Sequence, residues 1–256
     1  MNDVVQTARL DTLPWGGLSL WQGRETFNYT SDSVLLASFA YLAQGASVLE
    51  LGAGTGAISL LLSARGARCV TGVELSPALA ALFAASIEYN GLEERIRAIQ
   101  ADIRNLAPYI PAGTLDLVVA NPPYRRTDSG RLRKASIQQA ACHEQETTLD
   151  EFVRAASFAV KYRGRVAFCY LPERLVDLCL AFRQAGLEPK RLQLVYARDG
   201  QPAQLALVEA VRGGRPGLAV APPLVLYEGA GRSYTKQALR WYGGDARSEK
   251  GGERDV

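Results

Sequence analysis

From residue 47 to residue 211 the chain alternates short β-branched runs with longer amphipathic ones, and no other feature limits its possible folds as much. Ser47–Leu51, Cys69–Glu74, Arg95–Ala101 and Leu115–Ala120 read as buried strands. Ala57–Arg65 and Pro77–Asn90 read as helices, with Pro77 suited to a first turn and Asn90-Gly91 to a helix stop. After an irregular stretch come a helix at Thr148–Lys161, a strand at Arg165–Leu171, a helix at Glu173–Ala185 opened by Pro172, and closing strands at Glu188–Ala197 and Ala203–Val211. Strands alternating with helices require a mainly parallel sheet covered on both faces. The last two strands are joined only by Arg198–Pro202, too short for a helical crossover, and should therefore be an antiparallel pair at one edge. The expectation is an α/β fold with a seven-stranded, mostly parallel sheet, an antiparallel strand at one edge, and helices on both faces.

Ahead of this pattern, Leu18–Gln22 and Glu25–Phe27 around Gly23 read as a hairpin, followed by a helix over Val34–Leu42 capped by Ser31 or Asp32. Behind it lie a Gly/Pro-rich segment, a short apolar run at Leu224–Tyr227 and a helix at Tyr234–Tyr242. The expected organisation is an N-terminal hairpin and helix over 1–45, a central domain over 46–211, a C-terminal extension over 212–242, and a disordered tail over 243–256.

Composition removes several function classes. Apolar residues make up 48% and charged residues 21%, enough for a full core. No run approaches the ~20 apolar residues of a membrane span, and Met1–Thr12 lacks the apolar block of a secretory leader. Cys69, Cys142, Cys169 and Cys179 form no C-x-x-C pair, which argues against a disulfide framework or a zinc cage and fits a reducing cytoplasm. With His143 the sole histidine, no metal site is expected. The net charge of +3 conceals an asymmetry: residues 1–124 hold 7 basic against 11 acidic residues, and residues 125–256 hold 22 against 15. A basic second half suits an acidic partner such as nucleic acid, or is simply a solvated arginine-rich surface.

Three motifs carry chemistry. Glu50-Leu51-Gly52-Ala53-Gly54-Thr55-Gly56 directly follows a strand and opens a helix, where glycines let the backbone turn tightly and approach a ligand. Gly52, Gly54 and Ala57 also satisfy the dinucleotide pattern G-x-G-x-x-A, so this motif alone shows a nucleotide-like site without choosing its ligand. Glu74 ends the second strand, where a carboxylate can accept hydrogen bonds from ribose hydroxyls, and Asp102 ends the third, as a rim carboxylate or a helix cap. The third motif is Asn121-Pro122-Pro123-Tyr124 after the strand Leu115–Ala120. Its two prolines lock a turn and remove two backbone donors, leaving the Asn121 side-chain oxygen and the Pro122 carbonyl as acceptors and Tyr124 as a stacking face. Such a constellation suits a planar amine or amide and offers nothing to a hydride acceptor.

ELGAGTG and NPPY together resemble the S-adenosylmethionine-dependent amino-methyltransferases that modify adenine N6, cytosine N4 or glutamine side chains. Phe27–Ala37, His143-Glu144, Pro172-Glu173-Arg174-Leu175, Glu188-Pro189-Lys190-Arg191, Gly213-Gly214-Arg215-Pro216 and Tyr234-Thr235 are similar to segments of the tRNA adenine-N6 methyltransferase family, which acts next to the valine tRNA anticodon. This resemblance implies a Rossmann-like class I methyltransferase fold, S-adenosyl-L-methionine as cofactor and tRNA as partner, with no membrane and no metal. By position it implies that Gly52, Gly54 and Gly56 shape the methionine-side pocket, with Glu50 at its floor and Asp32 near the amino-acid end. Glu74 would hold the ribose and Asp102 the adenine amino group. Asn121, Pro122 and Tyr124 would receive the target base, Asn121 also bordering the cofactor, while Phe27 packs over the cofactor or simply in the core.

An adenine amine is a poor nucleophile because its lone pair is spread into the ring. Hydrogen bonds to Asn121 and Pro122 favour a pyramidal nitrogen with that lone pair aimed at the methyl group, so orientation and electrostatics supply most of the acceleration. Arg125, Arg126, Arg131, Arg133 and Lys134 follow the turn at once and could hold the phosphates of a flipped nucleotide, or form a solvated loop. Lys161, Arg163 and Arg165 with Tyr162 form a second basic cluster, a weaker candidate for RNA contact, while Cys142 and His143 read as structural and Trp15, Trp21 and Trp241 as packing residues. The alternatives are a glutamine methyltransferase, which carries a helical domain ahead of its sheet, a DNA adenine methyltransferase, a hydride-transferring enzyme, which leaves NPPY unexplained, and a non-enzymatic cofactor-binding RNA partner. Monomer and homodimer remain equally open.

Overall fold

The computed structural model describes residues 3–23, 31–123 and 147–243. Strands β1 (Arg9–Thr12) and β2 (Ser19–Gln22) form a separate antiparallel ribbon. The main sheet contains β3 (Ser47–Leu51), β4 (Cys69–Glu74), β5 (Ile96–Gln100), β6 (Leu115–Ala120), β7 (Val160–Tyr170), β8 (Leu187–Tyr196) and β9 (Ala203–Arg212), with two-residue strands β10 (Ala219–Val220) and β11 (Leu224–Val225). Its order is β10-β8-β9-β7-β6-β3-β4-β5, with β11 also pairing β8. From β3 the chain builds outward through β4 and β5, then returns to the other side of β3 with β6 and β7, all parallel. That reversal opens a crevice at the carboxyl ends of the strands, where open α/β sheets bind ligands.

Helices cover both faces because successive strand residues point to opposite sides. Val48, Val70, Val119 and Ala167 join one core with residues of α2 (Ser31–Phe39), α3 (Ala57–Ala64) and α4 (Pro77–Tyr89). Leu49, Val73, Val118 and Phe168 join the other with residues of α5 (Leu149–Ala159) and α6 (Leu175–Gln184). Leu60, Leu61 and Leu62 of α3 are all fully buried, each worth about 1.5–3 kcal/mol relative to exposure. At the C-terminal end, β11 lies against β8, and α7 (Lys236–Trp241), capped by Thr235, packs on α2, where the Ser38 hydroxyl donates to the Trp241 carbonyl at 2.7 Å.

Several expectations are corrected. Strand β2 pairs with Arg9–Thr12, while the expected strand Glu25–Phe27 lies outside the described residues. The connection bends at Gly16 and Gly17, both at positive φ, and closes with the Leu13 amide donating to the Leu18 carbonyl. Ser31 and Asp32 are the first residues of α2, which ends at Phe39 and not at Leu42. Strands β8 and β9 form the expected antiparallel pair toward one side of the sheet, but the strand that runs antiparallel to both its neighbours is β9, between β7 and β8, with β10 beyond β8. Helix α5 opens with the capping box of Thr148 and Glu151 but stops at Ala159, short of Lys161. The amides of Gly113 and Thr114 take the carbonyls of Phe158 and Ala159, and Val160 already pairs with Leu115. The stretch before Arg165 is therefore strand, with Arg163 at φ 63° where the register shifts.

Candidate functional site

Leu51, Val73 and Ala120 belong to the core beneath α5 and α6, so the alternation of side chains sends Glu50, Glu74 and Asn121 to the opposite face, that of α2, α3 and α4. Leu51 pairs with Val73 on one side and with Ala120 on the other. Glu74 and Asn121 thus stand one step past the last paired row, flanking Gly52, about 10 Å apart at the usual strand spacing. The structure brings these three predicted residues to one rim.

The three glycines of the turn all have positive φ, at 67°, 55° and 90° for Gly52, Gly54 and Gly56, but their surroundings differ. A Cβ on Gly54 would meet nothing within 4 Å, and one on Gly52 would lie 3.3 Å from the Phe152 ring. A Cβ on Gly56 would lie 2.0 Å from Cδ2 of Phe83, and one on Gly72 would lie 2.3 Å from Cε1 of the same ring. Gly54 leaves an open face for a ligand, whereas Gly56 makes room for a core phenylalanine. Gly56, expected to shape the ligand pocket, also has a packing role, since its missing side chain makes room for Phe83.

Glu50 is buried, and one of its carboxylate oxygens accepts the Ser59 amide at 2.8 Å and the Ser59 hydroxyl. Burial pushes its carboxyl up to about 8, against the pull of the Ser59 bonds and with a further push from the Glu74 charge. Glu74 is nearly buried and braces the turn: Oε2 accepts the Gly54 amide at 2.7 Å and Oε1 accepts the Ser76 amide at 2.8 Å. The carboxylate expected to hold a ribose therefore also holds the glycine loop in shape, and retains acceptor capacity on each oxygen.

Asp102 caps a 3₁₀ turn over Ile103–Asn105 through the Arg104 amide, and the Arg104 guanidinium bonds both of its carboxylate oxygens. Those Arg104 bonds hold the Asp102 carboxyl below its ordinary value. Of its two sequence readings, the capping one is realised, and the carboxylate is already occupied by a cation. Asp32, in the first turn of α2, accepts the Ser31 hydroxyl at 3.3 Å and neighbours Tyr242. Asn121 is half-buried, Pro122 is buried, and the Asn121 Oδ1 lies 2.9 Å from the Cys169 Sγ. Phe27, Tyr124, Arg125, Arg126, Arg131, Arg133, Lys134, Cys142 and His143 lie outside the described residues.

The second basic cluster lies toward the amino end of β6, away from the rim. Lys161 pairs with Asp116 near the amino end of β6, and Arg165 pairs with buried Glu209 at 2.6 Å. Five residues separate Asp116 from Asn121, roughly 15 Å along the strand. The tryptophans pack as expected: Trp15 and Trp241 against the α2/α3 core, and Trp21 edge-on to Tyr89 at 6.1 Å. Sequence reasoning missed Ser59, Phe83 and Cys169. Ser59 could have been found as the lone hydroxyl facing Glu50 within an apolar helix start; Phe83 and Cys169 carry no local signal.

A parallel sheet reversing at β3, a glycine turn with one open side, and carboxylates on β3 and β4 facing one side form a nucleotide-type crevice, and the methyltransferase-domain match and the methyltransferase structures below make this a class I methyltransferase with a donor of the S-adenosylmethionine type. A family model for a methyltransferase domain matches residues 48–153. Over 185 residues, 67% of this chain and 78% of the relative, the sequence is 28% identical to the tRNA1(Val) (adenine(37)-N6)-methyltransferase of Haemophilus influenzae strain PittEE. A predicted O-methyltransferase from Agrobacterium tumefaciens superposes with a TM-score of 0.69 at 23% identity, covering 83% of this chain and 96% of that one. The T. thermophilus 16S rRNA N2 G1207 methyltransferase, solved with AdoMet and guanosine, superposes at 0.54 with 22% identity, over 80% of this chain and 50% of that one. The two structures establish the fold. Its sequence relatives carry the name tRNA1(Val) (adenine(37)-N6)-methyltransferase, and the chain is similar to that family at 23–28% identity. Among the described residues no helix is long and apolar enough to cross a membrane, and no three His, Cys, Asp or Glu side chains are grouped to hold a metal ion.

Proposed function

We propose that this protein transfers a methyl group from S-adenosyl-L-methionine to the exocyclic N6 amine of an adenosine in tRNA. The observation that carries this reading is the position of Asn121, just past the end of β6 and on the same face as Glu50 and Glu74. An acceptor for the target amine and the carboxylates for a nucleoside-bearing donor then line one crevice. The donor fits these residues: the open side of Gly54 leaves room for it, and Glu74 carries acceptors suited to ribose hydroxyls.

In this reading the donor supplies an electrophilic methyl group on a sulfonium. Gly52 and Gly54 border its methionine side, Glu50 forms the floor, and Asp32 lies toward its amino-acid end. Asp102, with Arg104 displaced or shared, accepts from its adenine amine. Asn121 Oδ1 and the Pro122 carbonyl accept the two hydrogens of the target amine, which favours a pyramidal nitrogen and aims its lone pair along the transfer axis. Tyr124 stacks on the extruded base, and Arg125, Arg126, Arg131, Arg133 and Lys134 hold the flanking phosphates. Residues 46–211 are the catalytic unit, and the cytoplasm, where tRNA is modified, is its compartment.

The test is transfer of labelled methyl from S-adenosyl-L-methionine to unmodified bulk tRNA, duplex DNA and a release-factor protein, each beside Asn121→Ala. Label in N6-methyladenosine from tRNA, lost in the variant, is the expected result. Label in glutamine or in DNA replaces the substrate assignment, and wild-type turnover by Asn121→Ala removes Asn121 from its role.

A further inference from the structure

We propose that Cys169 is a positioning residue for methyl transfer, its buried thiol holding the Asn121 carboxamide in the orientation that receives the target amine. This inference rests on the reading of Asn121 as the acceptor of that amine.

The argument begins with the turn. Pro122 and Pro123 have no N–H, so the backbone after Asn121 cannot anchor itself by donating from either position. The terminal torsion of an asparagine is broad, with oxygen and nitrogen interchangeable in shape, so a side chain beginning such a turn needs a partner to select one orientation. The sheet supplies it. Ala120 pairs with Phe168, which brings Asn121 alongside Cys169 on the neighbouring parallel strand. Ala167 and Cys169 belong to the α2/α3 core, the face to which Asn121 also points. Cys169 is fully buried and is itself held by pairing with Leu207 of β9, so its thiol is a fixed point in the interior of the sheet. Its Sγ lies 2.9 Å from Asn121 Oδ1.

A thiol donates one hydrogen, and a carboxamide oxygen has two lone pairs. Donation from Cys169 to one of these pairs sets the plane of the amide, and with it the direction from which an amine hydrogen approaches the oxygen. Methyl transfer depends on the aim of the nitrogen lone pair, so a loosened Asn121 should slow turnover without changing how tightly either substrate binds.

Two readouts test this. In the first, the S–H stretching band of Cys169 is assigned by infrared difference against Cys169→Ser and then followed in Asn121→Ala. A shift toward the frequency of a free thiol is expected; an unmoved band overturns the contact, whatever the protein methylates. In the second, Cys169→Ala and Cys169→Val are compared with Cys169→Ser under saturating donor and tRNA. Valine fills the space without a polar hydrogen, whereas serine restores a donor. Alanine and valine should each lower kcat roughly tenfold, the size expected when a modest orienting hydrogen bond is lost. KM for tRNA and the Kd of S-adenosyl-L-methionine should stay within about twofold, and serine should recover most of the rate. Unchanged kcat in the valine variant, parallel loss of donor affinity, or failure of serine to recover the rate overturns the proposal. A wild-type protein that methylates no tRNA overturns the substrate reading and leaves the infrared test of the contact intact.

Discussion

The ring of Phe83 fills the space where Gly56 would carry a side chain, with a Cβ there only 2.0 Å from its Cδ2. The same ring closes off Gly72 on β4, so a core aromatic from α4 is slotted between the glycine turn and the sheet. The last glycine of the turn is thereby a packing residue, although it sits two positions from one that faces open space.

Gly56→Ala combines a left-handed backbone with an overpacked core, and should cost roughly 3 kcal/mol. For a chain of this size that corresponds to a fall in Tm of about 6–12 °C. Gly54→Ala has only the backbone strain to absorb, about 1 kcal/mol, but places a methyl group on the open face. Thermal unfolding and calorimetric titration with S-adenosyl-L-methionine should separate the two, with donor affinity lost in Gly54→Ala at near-normal stability.

Glu50 sets a pH dependence. Its folded-state value of about 8 lies above the ordinary 4.5, so between those limits the folded protein binds a proton that the unfolded chain has released. Stability from this group is therefore fully present below about pH 4.5 and is lost as the pH rises toward 8. Urea unfolding of the donor-free protein from pH 5 to 8 should show this decline, and Glu50→Gln should flatten it.

Glu209 is fully buried and accepts from Arg165, from Arg191 and from the Tyr41 amide beyond the end of α2. Glu209→Ala leaves that amide and two cations without their acceptor, a loss of about 3–5 kcal/mol for a buried pair. Both arginines remain partly exposed and can be rehydrated, so the lower end of that range is expected in denaturant titrations. Methyl transfer per folded molecule at low temperature should be retained.

The two basic clusters should behave differently toward RNA. Lys161 is paired at the far end of β6, so Lys161→Ala should leave tRNA affinity and its salt dependence unchanged. Arg126→Ala or Arg131→Ala should each weaken binding and reduce the slope of log K against log salt by about 0.7–0.9, the signature of one phosphate contact. Filter binding at several salt concentrations reads both.

Much of the fold could be read directly. Ser47–Leu51 and Leu115–Ala120 have the strand boundaries their mainly apolar runs predicted, because a strand covered on both faces is largely apolar and these are bounded by a glycine turn or a proline turn. The end of α5 could not be read. Leu149 to Lys161 is continuously helical in pattern, and the stop at Ala159 comes from Gly113 and Thr114 drawing the next residues into the sheet. The strand β1 was not legible for the same kind of reason: Arg9–Thr12 has no strong strand pattern, and only its pairing with Ser19–Gln22 makes it one.

The site divides along the same line. The sequence by itself determined the glycine turn, the carboxylates at Glu50 and Glu74, and Asn121 at a strand end, since each follows from local chemistry and from the period-two alternation that sends all three to one face. Tertiary structure alone decided that Phe83 claims Gly56, that Lys161 and Arg165 are neutralised away from the rim, and that Cys169 meets Asn121. Periodicity records which face of an element is buried. The residue across that face comes from a distant part of the chain, and only the packing of the whole molecule selects it.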